Sequence, residues 1–118
     1  MGKINIIAGA IIITAFTVMA FVLQAAGTHE FGPLWRAAHV HGALFGMLNM
    51  VLGLSIIALK LDGKLISVSS ILAVIGAVLL PGGLFVGVYN PSLLVLAPLG
   101  GLSLVIALLI FCYGVIKA

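Results

Sequence analysis

Charged residues are the scarcest class in this chain, with two acidic and five basic side chains among 118 residues, or 6%. Soluble globular domains carry about 25% charged residues, because a polar surface keeps them in water. Hydrophobic residues make up 64% of the sequence, and its mean hydropathy is +1.47. These values exclude a soluble enzyme, a disordered tail and a nucleic-acid-binding module, and the pI of about 9.4 reflects a few bases in loops.

Cysteines are also few, and acids inside the apolar runs are missing. The chain has one cysteine, Cys112, so neither an intrachain disulfide nor a thiolate metal site can form within one copy. No Asp, Glu, Lys or Arg lies deep inside an apolar run, and proton-coupled transporters depend on such buried carboxylates. These absences favour a non-catalytic protein over an enzyme.

Long apolar runs are what the sequence does contain. Residues 4–26, 33–59, 65–88 and 91–116 are each long enough to cross a hydrocarbon core of about 30 Å, which needs about 20 apolar residues. Backbone surrounded by lipid satisfies its hydrogen bonds within one segment only as a helix. We therefore predict an all-α, polytopic membrane protein, with residues 1–118 forming a single transmembrane domain.

The connections between the runs are short. Gly32-Pro33 is typical of a helix start, residues 60–64 contain an Asp-Gly turn signal, and Asn90-Pro91 predicts an N-cap followed by proline in the first turn. Because no connection is long, consecutive helices should be antiparallel neighbours. The sequence therefore predicts an up-down-up-down four-helix bundle.

The basic residues indicate the orientation. Lys3, Lys60, Lys64 and Lys117 fall on one side of the predicted bundle, and Arg36 alone lies near the other side. Since basic residues are enriched in cytoplasmic loops, both termini should be cytoplasmic. The prediction is a multi-pass protein of the cell's inner (plasma) membrane, in contact with the lipid bilayer and with no nucleic-acid partner.

The histidines of the second helix are the ionisable groups expected at membrane depth. Residues two apart on a helix point about 200° from each other, so His39 and His41 cannot bind one metal ion together. His39 shares a stripe with glycines and should face a neighbouring helix. His41 shares the opposite stripe with Phe45, Leu48 and Leu52, which predicts contact with lipid or another subunit. Both residues are equally compatible with a role as interfacial anchors.

Small residues recur at the spacing that lets membrane helices approach closely. The pattern occurs as Gly42-x-x-x-Gly46, as Gly83-x-x-x-Gly87 and as Ala97-x-x-x-Gly101. It predicts close contacts among the second, third and fourth helices. Scattered methionines are interpreted as packing residues rather than copper ligands.

Two prolines at a matching depth predict a pocket. Pro81 and Pro98 should each remove one helix hydrogen bond and leave the carbonyls of Ala77 and Leu94 without donors, and a histidine N–H at that level is a candidate donor. Irregular backbone beside a polar residue often forms a binding site in membrane proteins. The pocket would comprise Asn49, Pro81, Gly82, Gly83 and Pro98. The alternative is that the kinks and Asn49 are purely structural.

A metal site is a further hypothesis. His29 and Glu30, together with His39, would supply nitrogen and oxygen ligands suited to zinc or copper. That site requires the first loop to fold back onto the second helix.

Residues 36–49 (RAAHVHGALFGMLN), with Pro-Gly-Gly at 81–83 and Asn-Pro-Ser at 90–92, resemble small bacterial four-helix membrane proteins of no assigned activity. The resemblance covers helices two to four and implies the topology. The His-x-His opening of a membrane helix also resembles haem-ligating helices of haem-copper oxidase relatives, which implies haem. This chain lacks the other ligand helices of that larger family.

Three functions follow as hypotheses. The first is an accessory or oligomer-forming membrane subunit, either a homo-oligomer or part of a larger membrane complex. The second is a protein that binds haem or a transition metal through His39 or His41. The third is a lipid- or quinone-binding or transport protein with its pocket at the level of Pro81 and Pro98.

Overall fold

The computed structural model describes residues 1–25 and 32–118. These residues form α1 (Gly2–Ala25), α2 (Gly32–Ala58), α3 (Lys64–Gly87) and α4 (Leu96–Lys117), with a short 3₁₀ helix at Pro91–Val95 directly before α4. The predicted all-α fold with four long helices is confirmed within the described ranges.

Each long helix has the length and composition of a membrane span. The most apolar windows have mean hydropathies of 2.6, 1.8 and 2.2 in α1, α2 and α3, and 2.7 in the stretch Pro91–Lys117. Large apolar side chains point outward, for example Phe21 at 70% exposure and Ile116 at 82%. A surface of this kind is unfavourable in water and favourable in hydrocarbon, as a membrane protein requires.

The helices form a flat layer that measures 50 × 25 × 14 Å between Cα extremes. α2 and α3 lie in the middle, α1 packs on α2, α4 packs on α3, and α1 also touches α3. The apolar core is centred on α2, α3 and α4, where its buried members are Leu52, Ile56, Ile66, Ala73, Leu104 and Ala107.

The stripe of α2 that was predicted to face lipid or another subunit is instead part of the core, so that prediction is wrong. Leu52 is only 4% exposed, and Phe45 and Leu48 pack against the same core cluster instead of facing lipid. The large exposed side chains of α2 lie on a third face, formed by Val40, Leu44, Met47, Val51 and Leu54. The error arises because α2 contacts α1 on one side and α3 on another, whereas the prediction assumed one buried stripe.

Glycines set the distance between α1 and α2. A β-carbon added to Gly9 would overlap the carbonyl oxygen of Gly46, and one added to Gly2 would overlap that of Gly53. Positions early in α1 therefore meet positions late in α2, and the seven-residue spacing is the same in both helices. The glycine face of α2 is therefore a helix contact, but its predicted partner is wrong, because the face packs on α1 and not on α3 or α4.

Glycines also bring α3 and α4 together. A β-carbon on Gly76 would lie 2.7 Å from the Gly100 carbonyl oxygen, and one on Gly83 would lie 2.7 Å from the Ala97 nitrogen. Gly101, predicted to be at this contact, has room for a β-carbon 3.4 Å from Leu80. Gly100 is the contact residue because Gly101 points about 100° away on the same helix.

The start of α4 differs from the prediction. Pro98 is the third residue of α4, where the missing N–H of a proline costs little, so it does not interrupt the helix. Backbone N–H groups at the Leu96 cap of the 3₁₀ helix donate to the carbonyls of Leu93 and Leu94. The Leu94 carbonyl, predicted to lack a donor, is therefore bonded. Pro81 does lie inside α3, as predicted.

Candidate functional site

His39 faces α1 from a half-buried position on α2. Its Nδ1 lies 3.2 Å from the backbone oxygen of Phe16 on α1. Because a carbonyl oxygen only accepts hydrogen bonds, Nδ1 carries the proton and donates it. In the neutral imidazole this leaves Nε2 as the unprotonated nitrogen, which can bind a metal or accept a hydrogen bond.

His39 lines a cleft of about 350 Å³, called here the α1–α2 cleft. The cleft lies where α1 ends and α2 begins, and its other lining residues are Ala20, Leu23, Gln24, Gly32, Trp35 and Arg36. A second cleft of about 200 Å³ adjoins it and shares His39, Ala20 and Gln24. The imidazole therefore lines both spaces.

Trp35 lies one helical turn before His39. The two rings are nearly parallel, at 13°, and their centroids are 6.4 Å apart. The Nε1 of Trp35 is buried and makes no hydrogen bond within the part of the chain that the structure describes. A buried donor without an acceptor is costly, so native structures rarely leave one.

The neighbouring Arg36 is exposed and lines the same cleft. Its guanidinium presents donors in a planar fork that matches a carboxylate or a phosphate. Among the described residues, the α1–α2 cleft thus brings together the imidazole of His39, the side chain of Trp35 and the positive charge of Arg36.

His41 has different surroundings. Its Nδ1 lies 2.7 Å from the Ala37 carbonyl oxygen of its own helix, and its ring meets that of Phe45 edge-on, with centroids 5.6 Å apart. It is absent from the lining of both clefts. His41 therefore serves as a matched comparison for His39.

The predicted zinc or copper site falls partly outside the described residues, since His29 and Glu30 are not among them. In residues 1–25 and 32–118, no three His, Cys, Asp or Glu side chains lie close enough together to hold a metal ion. His39 therefore belongs to no such group in that part of the chain.

The five residues of the predicted proline-level pocket have varied surroundings. Asn49 and Pro81 are fully buried, and Gly83 packs against α4. A β-carbon added to Gly82 would meet no atom within 4 Å, and Pro98 is exposed. None of the five lines the α1–α2 cleft or its neighbour.

A buried hydrogen-bond network joins three helices. The side-chain amide of Asn5 on α1 donates to Asn49 Oδ1 at 2.9 Å and to the Ser70 carbonyl at 3.1 Å. The amide of Asn49 donates to the carbonyls of Phe45 at 3.1 Å and Ala73 at 3.0 Å, and the Ser70 hydroxyl donates to Asn5 Oδ1. Both amides use all their donors and have an accepting oxygen engaged, so the network stabilises packing.

The hydrogen bonds of Asn49 agree with the structural role that the sequence left open as the alternative to a pocket, whereas Asn5 and Ser70 were not identified from the sequence. The available signal was an asparagine near the start of an apolar run, where an unpaired amide would be costly. The serine hydroxyls between α3 and α4 were also missed. Ser69 donates to the Ala107 carbonyl at 2.7 Å, and Ser103 donates to that of Leu72 at 2.8 Å.

The chain matches a known protein family along most of its length. Residues 3–118 match the family model described as Domain of unknown function (DUF8059). No curated protein and no solved structure matches the chain.

Proposed function

This chain belongs to the DUF8059 family, and we propose that it is a plasma-membrane protein that binds a haem-type cofactor in the α1–α2 cleft through His39. The observation that carries the proposal is the pairing of His39 Nδ1 with the Phe16 carbonyl. Histidines that bind a metal almost always donate their other N–H to a carbonyl or carboxylate, which orients the ring toward the metal.

The chemistry of the site favours a macrocycle over a bare ion. Zinc held by protein takes about three or four protein ligands, and His39 belongs to no group of three His, Cys, Asp or Glu side chains in the described part of the chain. A porphyrin supplies four nitrogen ligands of its own, so a single histidine would be enough to hold its iron. A bare zinc or copper ion bound with His29 and Glu30 is the alternative.

We further propose that the four helices alternate in direction across the membrane, with both termini cytoplasmic. The lysines at positions 3, 60, 64 and 117 would then lie inside, as the positive-inside rule expects. The α1–α2 cleft would open near the outer surface, with Arg36 at its rim.

The test is cofactor content in the purified protein. We expect protein expressed with a haem supply and purified in mild detergent to show a Soret band. His39→Ala should lose most of that band, because it removes the imidazole nitrogen that would hold the iron. His41→Ala should retain it, since that ring pairs with its own helix.

Helix content measured by circular dichroism controls for misfolding of either variant. Metal analysis of the same samples distinguishes haem from zinc or copper. Wild-type protein with neither a Soret band nor stoichiometric metal would refute the proposal, and so would equal haem content in wild type and His39→Ala.

A further inference from the structure

A further cleft, of about 230 Å³, lies at the other end of α2 from the α1–α2 cleft, where the turn after α2 meets the start of α3 and the end of α4. We propose that this space, called here the turn cleft, binds the headgroup of an aminophospholipid, a lipid that carries both a phosphate and a primary ammonium group. The proposal is independent of the proposed cofactor and holds for either orientation of the helices in the membrane.

The charged side chains of the turn cleft are the first argument. Lys60, Asp62 and Lys117 line it, and all three are exposed. A phosphate between the two lysines would accept charge-assisted hydrogen bonds from their ammonium groups. Asp62 would repel a ligand that is only anionic, but its carboxylate can accept hydrogen bonds from a ligand ammonium group. A headgroup with both charges therefore suits these side chains better than a fully anionic one.

The position of the cleft is the second argument. α2 ends at Ala58, α3 begins at Lys64 and α4 ends at Lys117, so the cleft lies at the ends of three candidate membrane spans. Lysines at such helix ends reach the level of lipid phosphates. Beside them the cleft is apolar, with Ile66 buried and Leu65 46% exposed on the outer surface. A charged rim next to an apolar surface suits a lipid with acyl chains better than a soluble phosphate.

The contact between α3 and α4 fixes the place of Lys117. A β-carbon on Gly114 would lie 2.6 Å from Ile66 Cδ1, so the two helices touch at the apolar side of the cleft. Lys117 follows Gly114 by less than one helical turn, and its Nζ lies 5.6 Å from the centroid of the Tyr113 ring. This cation–π contact holds the ammonium group at the end of α4.

The backbone of Lys60 is the third argument. Its φ of 53° is in the left-handed region, which favours glycine. The N–H of Lys60 donates to the Ile57 carbonyl at 3.2 Å, and that of Leu61 donates to the Ile56 carbonyl at 3.0 Å. Glycine is the usual residue at this point of such a helix end. A lysine that costs stability here indicates that its side chain has a use.

The experiment measures lipid binding to the purified, delipidated protein by native mass spectrometry from detergent. Phosphatidylethanolamine and phosphatidylcholine with identical acyl chains compete in one sample, so any loss of folded protein cancels from their ratio. Choline has the same charge as ethanolamine but no N–H to donate. We expect phosphatidylethanolamine to bind about fivefold more tightly, equivalent to about 1 kcal/mol.

Four variants locate that preference. Asp62→Asn suits the same turn but lacks the negative charge, so it should reduce the preference to less than about twofold. Lys60→Gly should keep or raise thermal stability, because glycine suits the left-handed backbone, yet bind both lipids about fivefold more weakly. Lys117→Gln should weaken both lipids to a similar extent. Lys64→Gln removes an exposed lysine that does not line the cleft, and it should match wild type.

Equal binding of the two lipids by wild type would overturn the proposal, and so would a Lys64→Gln effect as large as that of Lys117→Gln. Tighter binding of phosphatidylglycerol, an anionic lipid without an ammonium group, would also overturn it. Glycerophosphoethanolamine, the same headgroup without acyl chains, should not displace the lipid at equal concentration. Displacement would assign the cleft to a soluble phosphodiester and refute the lipid.

Discussion

At the scale of single residues, the buried asparagines show how this chain tolerates polar groups in an apolar interior. Asn5 and Asn49 are fully buried, and each donates two hydrogen bonds. Lipid offers no replacement partner for an amide, so these contacts favour one arrangement of α1, α2 and α3.

Replacing Asn49 by leucine should therefore lower the free energy of unfolding by about 1–2 kcal/mol. The change leaves the Asn5 amide with one acceptor fewer and removes the donor to the Ala73 carbonyl. Unfolding in detergent, followed by helix content against increasing SDS, measures the effect.

Ser55→Ala is the matched control, because that hydroxyl donates to the Val51 carbonyl within its own helix. It should change the free energy of unfolding by less than about 0.5 kcal/mol. An Asn49→Leu variant as stable as the Ser55→Ala variant would contradict the structural role of the network.

At the scale of helices, backbone contact through glycine decides which faces meet. Gly46 lies against Gly9, and a β-carbon on Gly46 would come within 2.8 Å of the Gly9 carbonyl oxygen. Gly82, on α3, has open space where a β-carbon would lie. An added methyl group should therefore clash with α1 at position 46 and fit without a clash at position 82.

The same substitution at both sites should have effects of opposite sign. Gly46→Ala should destabilise the protein by about 1–3 kcal/mol, because α1 and α2 must separate to admit the methyl group. Gly82→Ala should leave stability unchanged or raise it by up to about 1 kcal/mol, since alanine has the higher helix propensity. Thermal unfolding in one detergent compares the two variants.

A fully stable Gly46→Ala would show that the close approach of α1 and α2 is not needed, and a destabilised Gly82→Ala would contradict the open space beside Gly82. The start of the 3₁₀ helix before α4 is also determined at the scale of helices. Asn90 accepts a hydrogen bond from the Ser92 nitrogen at 3.2 Å, as its predicted capping role requires. The 3₁₀ turn that follows was not predicted.

At the scale of the whole molecule, the four helices form a layer with apolar side chains on its outer faces. Its smallest dimension between Cα extremes is 14 Å, so most helices have two neighbours at most and a wide lipid-facing surface. The expected homo-oligomer or larger complex stays a prediction.

The proposed sidedness gives the prediction at this scale. With Cys112 replaced by alanine, single cysteines at Asp62 and Ser92 place a label in the second and third connections, where both residues are exposed. A membrane-impermeant maleimide should label Ser92→Cys in intact cells and Asp62→Cys only after permeabilisation. The reverse pattern would place the Lys60–Lys64 turn outside and invert the orientation.

Much of this architecture follows from composition and local pattern. Helix number, approximate boundaries, the Asn90 cap and the glycine face of α2 depend on hydropathy, length and residue type, which act along one helix at a time. The preference for His39 over His41 as the residue facing a neighbouring helix came from the same reasoning.

Other features depend on which helix lies next to which. The Phe16 carbonyl beside His39, the Asn5 partner of Asn49 and the burial of Leu52 involve pairs of helices distant in sequence. Helical periodicity identifies a face but not its neighbour, and apolar residues are spread around all four helices. Only packing in three dimensions, controlled here by glycines that admit one backbone to another, decides those contacts and creates the cleft.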